Sequence, residues 1–210
     1  MNHLIARLKI KRSDEFMAFK TKSKIIGIIL AAGLIILTLG FIAQSAMTKY
    51  LYPIRYEQYV EKYSQEYNVP ENLIYAVIRT ESSFKSDAVS NVGAVGLTQI
   101  MPDAFEWINN KLGEDKAFES LYNEETSIRY GAFLLGYLLD EFENPEAALA
   151  AYHAGRGNVN KWLNDKAYSK DGIHLDTIPI SDTAHYVRKV MRSVNIYNKL
   201  NPISDGKDDK

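Results

Sequence analysis

The sequence predicts an all-α domain that follows one apolar helix of membrane-spanning length. Between residues 53 and 200, apolar side chains recur every three or four positions, which is the period of an amphipathic helix. No stretch of that region alternates apolar and polar residues for long enough to predict a strand. Before it, residues 25–43 form an uncharged run whose one polar side chain is Thr38.

These features divide the chain into five segments. We expect a basic segment at residues 1–24, an apolar helix at 25–43 and a short connector at 44–52. One helical domain follows at residues 53–200, and a polar, disordered tail at 201–210. About 150 residues are enough for one substantial hydrophobic core. The sequence contains no internal repeat that would indicate a second unit of the same kind.

The apolar run at residues 25–43 is predicted to be an uncleaved transmembrane helix. About 20 apolar residues span a bilayer as a helix, whereas the apolar part of a signal peptide is usually about 7–15 residues long. A helix in a protein core would have a polar face, and this run has none. Cleavage near Ala43-Gln44-Ser45 is the alternative, but the run is long and 24 residues precede it.

The distribution of charge predicts the orientation of this helix. Residues 1–24 contain seven Lys or Arg and two acidic residues, for a net charge of +5. The positive-inside rule places them in the cytoplasm and residues 44–210 outside. Because the whole chain has a net charge of −1, residues 25–210 carry −6. An acidic domain of this kind is not predicted to bind nucleic acid.

The composition predicts no metal site and no disulfide. The chain has no cysteine, so thiolate ligands and disulfides are excluded. Its four histidines are scattered and lack the spacing of a zinc-binding helix; they are His3, His153, His174 and His185.

Turn and capping residues divide the domain at 53–200 into helices. The residues predicted to start or cap a helix are Pro53, Pro70, Pro102, Asn123, Asn144 and Ser181. Tyrosines on the first of these helices are interpreted as a packing surface rather than a sugar-binding platform. In the long helix after Asn123, Gly131 and Gly136 are expected to allow a close approach to other elements.

Glu81 is the residue around which we expect the function to be organised. It ends an apolar helical stretch, Leu73–Ile78, and a carboxyl beside an apolar wall tends to stay protonated near neutral pH. Such a group can act as a general acid; the alternative is a solvated acid that merely ends a helix. Gly93 and Gly96 then permit tight turns, and the chain reaches Thr98-Gln99, polar groups that can face a ligand.

Motifs around Glu81 resemble the first two motifs of the bacterial soluble lytic transglycosylase family. They read ESxF at residues 81–84 followed by AxS at residues 88–90, and then GAxGLxQIMP at residues 93–102. The third and fourth family motifs are similar to AYHAG at residues 151–155, followed by GNV and Trp162, and to IPISDTAHYV at residues 178–187. The motifs occur in family order and cover most of residues 53–200.

The resemblance implies a lysozyme-like domain, similar to goose-type lysozyme, that cleaves peptidoglycan. The bond cut would be the β-1,4 link between N-acetylmuramic acid and N-acetylglucosamine, with formation of 1,6-anhydromuramyl ends. The family pattern implies no cofactor. The expected partners are peptidoglycan glycan strands and the membrane around residues 25–43, and protein partners are not predicted. We therefore expect a single-pass protein of the bacterial cell membrane, with its catalytic domain on the outer side.

The same resemblance assigns roles to individual residues. Glu81 would be the sole catalytic acid and base, and Tyr152 and Tyr186 would hydrogen-bond around it. The residues implied to bind the sugar, line the groove or support the site are Ser82, Ser90, Gln99 and Met101.

Three positions depart from the family pattern and keep two alternatives open. Thr98 stands where the family usually has Met, His153 where it has Asn, and Asp182 where it has Glu. None of them is the acid itself, so they bear on substrate fit more than on the reaction. The alternatives are a hydrolytic muramidase on the same fold, and an inactive, membrane-anchored module that binds peptidoglycan within an envelope assembly.

Overall fold

The computed structural model describes residues 2–200, which form two compact units. Within the described residues, the first unit ends at Pro53 and the second begins at Ile54. The polar tail that the sequence predicts at residues 201–210 lies outside the described residues.

The first unit is a single long helix, α1, at Asn2–Leu51. Its stretch Ile29–Leu51 is long and apolar enough to cross a membrane, with a mean hydropathy of 2.1 and none of its window buried. Thr38 donates its hydroxyl to the carbonyl of Ile35 at 2.9 Å, so this polar side chain is satisfied within the helix. Helix α1 continues to Leu51, so most of the predicted connector at residues 44–52 is helical.

The regular secondary structure of the second unit is helical. Its α-helices are α2 Glu57–Tyr67, α3 Glu71–Glu81, α4 Pro102–Leu112, α5 Glu124–Phe142, α6 Pro145–Ala154, α7 Arg156–Leu163 and α8 Ser181–Leu200, with a short 3₁₀ helix at Phe118–Tyr122. Over residues 2–200 the β pairing is limited to two isolated bridges, which join Val95 to Val89 and to Ile100. The all-α prediction is confirmed.

Local capping explains where several of these helices begin. The side chains of Asn123 and Asn144 accept hydrogen bonds from the backbone N–H groups of Thr126 and Ala147, at 3.0 and 2.9 Å. Both caps were predicted, because an Asn side chain satisfies an N–H that lacks a partner in the first turn. The predicted start at Pro53 is wrong. Helix α2 begins at Glu57, after Tyr56 turns the chain with φ of 60°.

Helix α3 is the centre of the second unit. Every residue from Asn72 to Ile78 is buried, and α3 packs against α2, α5 and α8. A helix that is apolar on nearly all sides is stable only when other helices surround it. Its last residue, Glu81, is therefore held at the rim of the core.

Aromatic packing and one glycine fix α2 against α5. Tyr67 stacks on Tyr63 with ring centroids 6.0 Å apart and meets Phe133 edge-on at 5.5 Å. A Cβ on Gly136 would lie 2.5 Å from the Tyr67 carbonyl oxygen, so only glycine permits this approach. The packing role predicted for the tyrosines and the close approach predicted at Gly136 are both confirmed.

Candidate active site

Glu81 ends α3 with a half-buried carboxyl group. Burial raises the pKa of this carboxyl to about 7, and Tyr186 and Lys189 both act in the opposite direction. A carboxyl with this pKa is part protonated and part ionised at neutral pH. It can therefore give up a proton and take one back without a large energetic cost in either direction.

Two buried tyrosine hydroxyls adjoin Glu81 from different helices. Tyr186 of α8 is 6% exposed, and its interaction with Glu81 favours the ionised carboxylate. Its hydroxyl makes no hydrogen bond of regular geometry with any residue between 2 and 200, so it remains available to a carboxylate or ligand. Burial, with Glu81 as a second cause, raises the pKa of Tyr186 and of Tyr152 well above the usual value. Both groups are thus neutral donors at physiological pH.

Tyr152 of α6 ties the helices to the loop that follows Glu81. Its hydroxyl donates a 2.7 Å hydrogen bond to the carbonyl oxygen of Thr98. This bond fixes the loop at the residue before Gln99. A tyrosine can reach the loop because the small residues of α6 are buried close to their neighbours.

His153, the next residue of α6, supports Tyr186 rather than Glu81. Its Nδ1 lies 3.1 Å from the hydroxyl oxygen of Thr183, and its ring centroid lies 4.6 Å from that of Tyr186. Burial lowers the pKa of His153, while the nearby Asp182 raises it. Of the departures from the family pattern, His153 therefore contacts the ring of Tyr186, and Asp182 acts on His153.

The loop between α3 and α4 is held in an uncommon backbone conformation. Ser83 and Phe84 have φ of 51° and 64°, a left-handed region that costs energy for residues other than glycine. Phe84 is 4% exposed and anchors the turn in the core. A Cβ on Gly96, where φ is 82°, would lie 2.3 Å from the Leu121 carbonyl oxygen. Glycine is therefore required at this position.

The predicted sugar-contacting residues use much of their hydrogen-bonding capacity to shape this loop. The Ser90 hydroxyl accepts a 2.9 Å hydrogen bond from the Ala94 N–H. The Gln99 side-chain amide donates to the carbonyl oxygens of Ala88 and Gly96, at 3.0 and 2.8 Å. Gln99 itself has φ of 50°, so these two bonds hold a strained residue in place.

Two further predicted residues differ in exposure. Ser82 is 7% exposed and donates its hydroxyl to the Ile78 carbonyl at 3.1 Å, within the last turn of α3. Met101 is 40% exposed and immediately precedes α4. Ser82 is thus a support for the turn beside Glu81, whereas Met101 presents apolar surface at the edge of the loop.

Thr98 does not face a ligand, and the prediction that it could is wrong. It is 1% exposed, and its hydroxyl donates to the Ser127 carbonyl at 2.8 Å. Its side chain occupies the space that a Cβ on Gly131 would need. The departure from the family pattern at Thr98 is therefore an adjustment of the core between the loop and α5.

Lys189 belongs to this site but was not among the predicted residues. Its Nζ donates a 3.3 Å hydrogen bond to the carbonyl oxygen of Thr80, the residue before Glu81. Lys189 follows Tyr186 by three positions on α8, so both side chains lie on the same face of the helix. That spacing was the one available signal in the sequence.

A separate cavity of about 540 Å³ lies on the other face of α8 and does not include Glu81. Its lining includes Val187, Arg188 and Met191, which point away from the face of Tyr186 by helical spacing. The candidate active site is therefore defined by the groups around Glu81 and not by this cavity.

Comparison with known families agrees with this fold. The model of the Transglycosylase SLT domain matches residues 58–174. The chain belongs to this family, and the resemblance seen in the motifs is confirmed.

Curated relatives carry the same family relationship. The soluble lytic murein transglycosylase of Escherichia coli K12 is 32% identical over 145 residues, which are 67% of this chain and 22% of the relative. The membrane-bound lytic murein transglycosylase C of Serratia proteamaculans is 31% identical over 169 residues, 69% of this chain and 47% of the relative. The chain thus spans about a fifth to a half of the length of these relatives.

Solved structures show the fold. The 70 kDa soluble lytic transglycosylase of Escherichia coli has a TM-score of 0.65 at 28% identity, over 73% of this chain and 25% of that one. An inactive glutamate-to-glutamine mutant of the lytic transglycosylase Slt from Pseudomonas aeruginosa has a TM-score of 0.64 at 32% identity. The match covers 71% of this chain and 25% of that one. The expected lysozyme-like transglycosylase fold is confirmed.

Proposed function

We propose that this protein is a lytic transglycosylase that cleaves the glycan strands of peptidoglycan. The observation that carries the proposal is the half-buried Glu81 with a pKa of about 7, beside the neutral hydroxyls of Tyr152 and Tyr186. The relatives named lytic murein transglycosylases and the inactive glutamate-to-glutamine mutant support it.

In the first step of the proposed reaction, Glu81 donates its proton to the oxygen that links muramic acid to the next sugar. The bond between C1 and that oxygen breaks, and the leaving sugar departs with a new hydroxyl. The 2-acetamido group of the substrate stabilises the positive charge that develops at C1. The raised pKa of Glu81 keeps the required proton on the enzyme at neutral pH.

In the second step, the ionised Glu81 takes the proton from the C6 hydroxyl of the same muramic acid. The C6 oxygen attacks C1 and closes the 1,6-anhydro ring, and Glu81 is protonated again. Attack within one sugar is favoured because effective molarities of well-oriented groups reach about 10⁵–10⁸ M. No water is consumed, and the enzyme returns to its starting state.

The charges around Glu81 favour this route over hydrolysis. Most glycosidases use two carboxyl groups, about 5–5.5 Å or about 6.5–9.5 Å apart. Among the described residues, the charge that acts on Glu81 is the cation of Lys189 and not a second acid. Asp87 and Asp182, the two acids within the motifs, are both exposed. A hydrolytic muramidase would need one of them either as the nucleophile or as the base that activates a water molecule.

The proposed substrate contacts follow from exposure. Met101 offers apolar surface to a sugar ring, while Ser90 and Gln99 present the remaining polar atoms of a loop fixed by its own hydrogen bonds. Tyr152 of α6 and Tyr186 of α8 position the carboxyl from two different helices. We assign Ser82 a supporting role, because its hydroxyl is engaged within α3.

We also propose that α1 anchors the protein in the bacterial cell membrane as a single span, with the catalytic domain outside. The apolar stretch Ile29–Leu51 and the relatives named membrane-bound support the anchor. The basic residues in 1–24 support the orientation.

Digestion of purified peptidoglycan in ¹⁸O-labelled water tests the reaction. Mass spectrometry of the new ends should show the 1,6-anhydro mass without ¹⁸O, because no water enters the product. Ends that are one water heavier and carry ¹⁸O would establish the muramidase alternative. Binding to peptidoglycan without any cleavage would establish the inactive module.

A further inference from the structure

Helix α8 contacts the last turn of α3 through a charged side chain as well as through Tyr186. The Lys189 ammonium lies 3.3 Å from the Thr80 carbonyl oxygen and donates a hydrogen bond to it. Carbonyls in the last turn of a helix lack partners within the helix. A cation at that end is also favoured by the helix dipole. Lys189 therefore both holds and electrostatically complements the turn that carries Glu81.

The geometry points to Lys189 as a positioning residue for Glu81, one that clamps the last turn of α3 to α8 and favours the carboxylate that Glu81 becomes after giving up its proton. This inference rests on the proposed function, because it concerns the same carboxyl group. The inference adds Lys189 to the proposed function, a residue to which neither the motifs nor the family relationship assigns a role.

Among the described residues, Lys189 is the cation that acts on the Glu81 carboxyl group. Tyr152 from α6 and Tyr186 from α8 are neutral at physiological pH, because burial raises the pKa of both. The loop after Glu81 carries Lys85 and Asp87, which are both exposed.

The charges on α2 and α5, the remaining helices packed against α3, act elsewhere. On α5, Glu125 pairs with Lys62 and Arg129 pairs with Glu114. Burial raises the pKa of Glu71, in the first turn of α3, and Glu61 and Glu57 of α2 raise it further. Burial likewise raises the pKa of Tyr75, with Glu57 and Glu61 among the smaller causes. They therefore do not replace Lys189 at the other end of α3.

The opposing effects of burial and Lys189 suit a group that works as acid and then as base. Burial alone favours the protonated carboxyl and weakens Glu81 as a proton donor. A nearby cation restores part of the stability of the carboxylate. Because Lys189 is exposed, salt should screen its effect on Glu81.

Three variants of the full chain in mild detergent test this role. Lys189→Gln removes the charge and keeps a side-chain N–H donor, and Lys189→Arg keeps the charge. Arg192→Gln removes an exposed cation one turn further along α8 and serves as the matched control. Circular dichroism establishes that each variant has the helix content of the wild type.

The primary measurement is the titration of the Glu81 carboxyl by ¹³C NMR, assigned with Glu81→Gln. In Lys189→Gln the midpoint should rise by about half a pH unit or more, as expected on losing a nearby opposite charge. Lys189→Arg and Arg192→Gln should titrate like the wild type. An unchanged midpoint in a folded Lys189→Gln protein would overturn the inference, as would an equal rise in Arg192→Gln.

Two further measurements separate this inference from the proposed function. In the wild type, raising the salt concentration from about 0.05 M to about 0.5 M should raise the Glu81 midpoint, and Lys189→Gln should lose this response. If peptidoglycan is cleaved, the alkaline limb of the pH profile of kcat/KM should move to higher pH in Lys189→Gln, by the same amount as the NMR midpoint. If no variant and no wild-type protein cleaves peptidoglycan, the proposed function fails while the NMR result still decides the role of Lys189. A purely structural role would lower the rate without moving either midpoint.

Discussion

Thr98 and Gly131 are in such close contact that a single methyl group would not fit between them. A Cβ built on Gly131 would lie 2.5 Å from Thr98 Cγ2 and 2.6 Å from Thr98 Cβ. Thr98 is also bonded to the Ser127 carbonyl at 2.8 Å and, through its own carbonyl, to Tyr152 at 2.7 Å. Through these contacts Thr98 links α5 and α6 to the loop that shapes the site beside Glu81.

Gly131→Ala is expected to lower the free energy of unfolding by about 2 kcal/mol, because overpacking a tight core site costs about 1–3 kcal/mol. It should also lower activity, since the loop must shift with Thr98. The matched control is Gly157→Ala, in helix α7, where nothing lies within 4 Å of the added Cβ. That change should leave stability equal or up to about 1 kcal/mol higher. Denaturant unfolding followed by tryptophan fluorescence measures both, and equal stabilities of the two variants would refute the contact.

His153→Asn is expected to keep turnover close to that of the wild type. The side chain contacts Thr183 and the Tyr186 ring, so it supports the site without taking part in proton transfer. Loss of the ring contact should cost up to about 1 kcal/mol of stability. Initial rates on purified peptidoglycan test this. A loss as large as that of Glu81→Gln, in a folded variant, would instead make His153 a catalytic residue.

The raised pKa of Glu81 predicts how the stability of the protein depends on pH. Folding raises this pKa from an ordinary value of 4.5 to about 7, so the folded state favours the protonated form. The stability that this provides is fully present below about pH 4.5 and is lost as the pH rises through about 7. Glu81→Gln cannot ionise. Its free energy of unfolding should therefore rise by about 2 kcal/mol relative to that of the wild type as the pH is raised from 5 to 8.

Unfolding curves at several pH values measure that gain. Glu106→Gln, which removes an exposed glutamate on α4, is the control and should follow the wild type at every pH. A Glu81→Gln curve parallel to that of the wild type would show that Glu81 is not perturbed by burial.

The membrane anchor predicts that the protein resists extraction. After expression in bacteria, alkaline carbonate should leave the full-length chain in the membrane fraction, because α1 contains an apolar stretch of spanning length. Replacing Ile35 and Ile36, both exposed on α1, by Lys should release it. Recovery of a soluble wild-type product shortened by about 45 residues would instead identify a cleaved signal peptide.

The parts of the fold that depend on local sequence could be predicted. Asn123 and Asn144 cap the helices that follow them because a cap bonds within its own first turn. Glu81 could be placed at the end of a buried helix because the apolar residues before it leave no polar face. The helical start expected at Pro53 was wrong because the left-handed turn at Tyr56 has no clear local signal.

Long-range packing set the limits of prediction at the site. The burial of Thr98 depends on Ser127 and Gly131, about 30 positions away, so a polar residue in a loop was taken as ligand-facing. The contact of Lys189 with Thr80 joins residues more than 100 positions apart. Neither contact follows from the period of either helix alone.

The most direct test of the central claim compares the wild type with Glu81→Gln in their rates of forming 1,6-anhydromuramyl ends on purified peptidoglycan. Glutamine keeps the shape of the side chain but has no proton to donate as an acid, so the rate should fall by at least about 10³-fold while binding to peptidoglycan persists. A folded Glu81→Gln protein that forms these ends within tenfold of the wild-type rate would contradict the assignment of Glu81 as the catalytic acid and base.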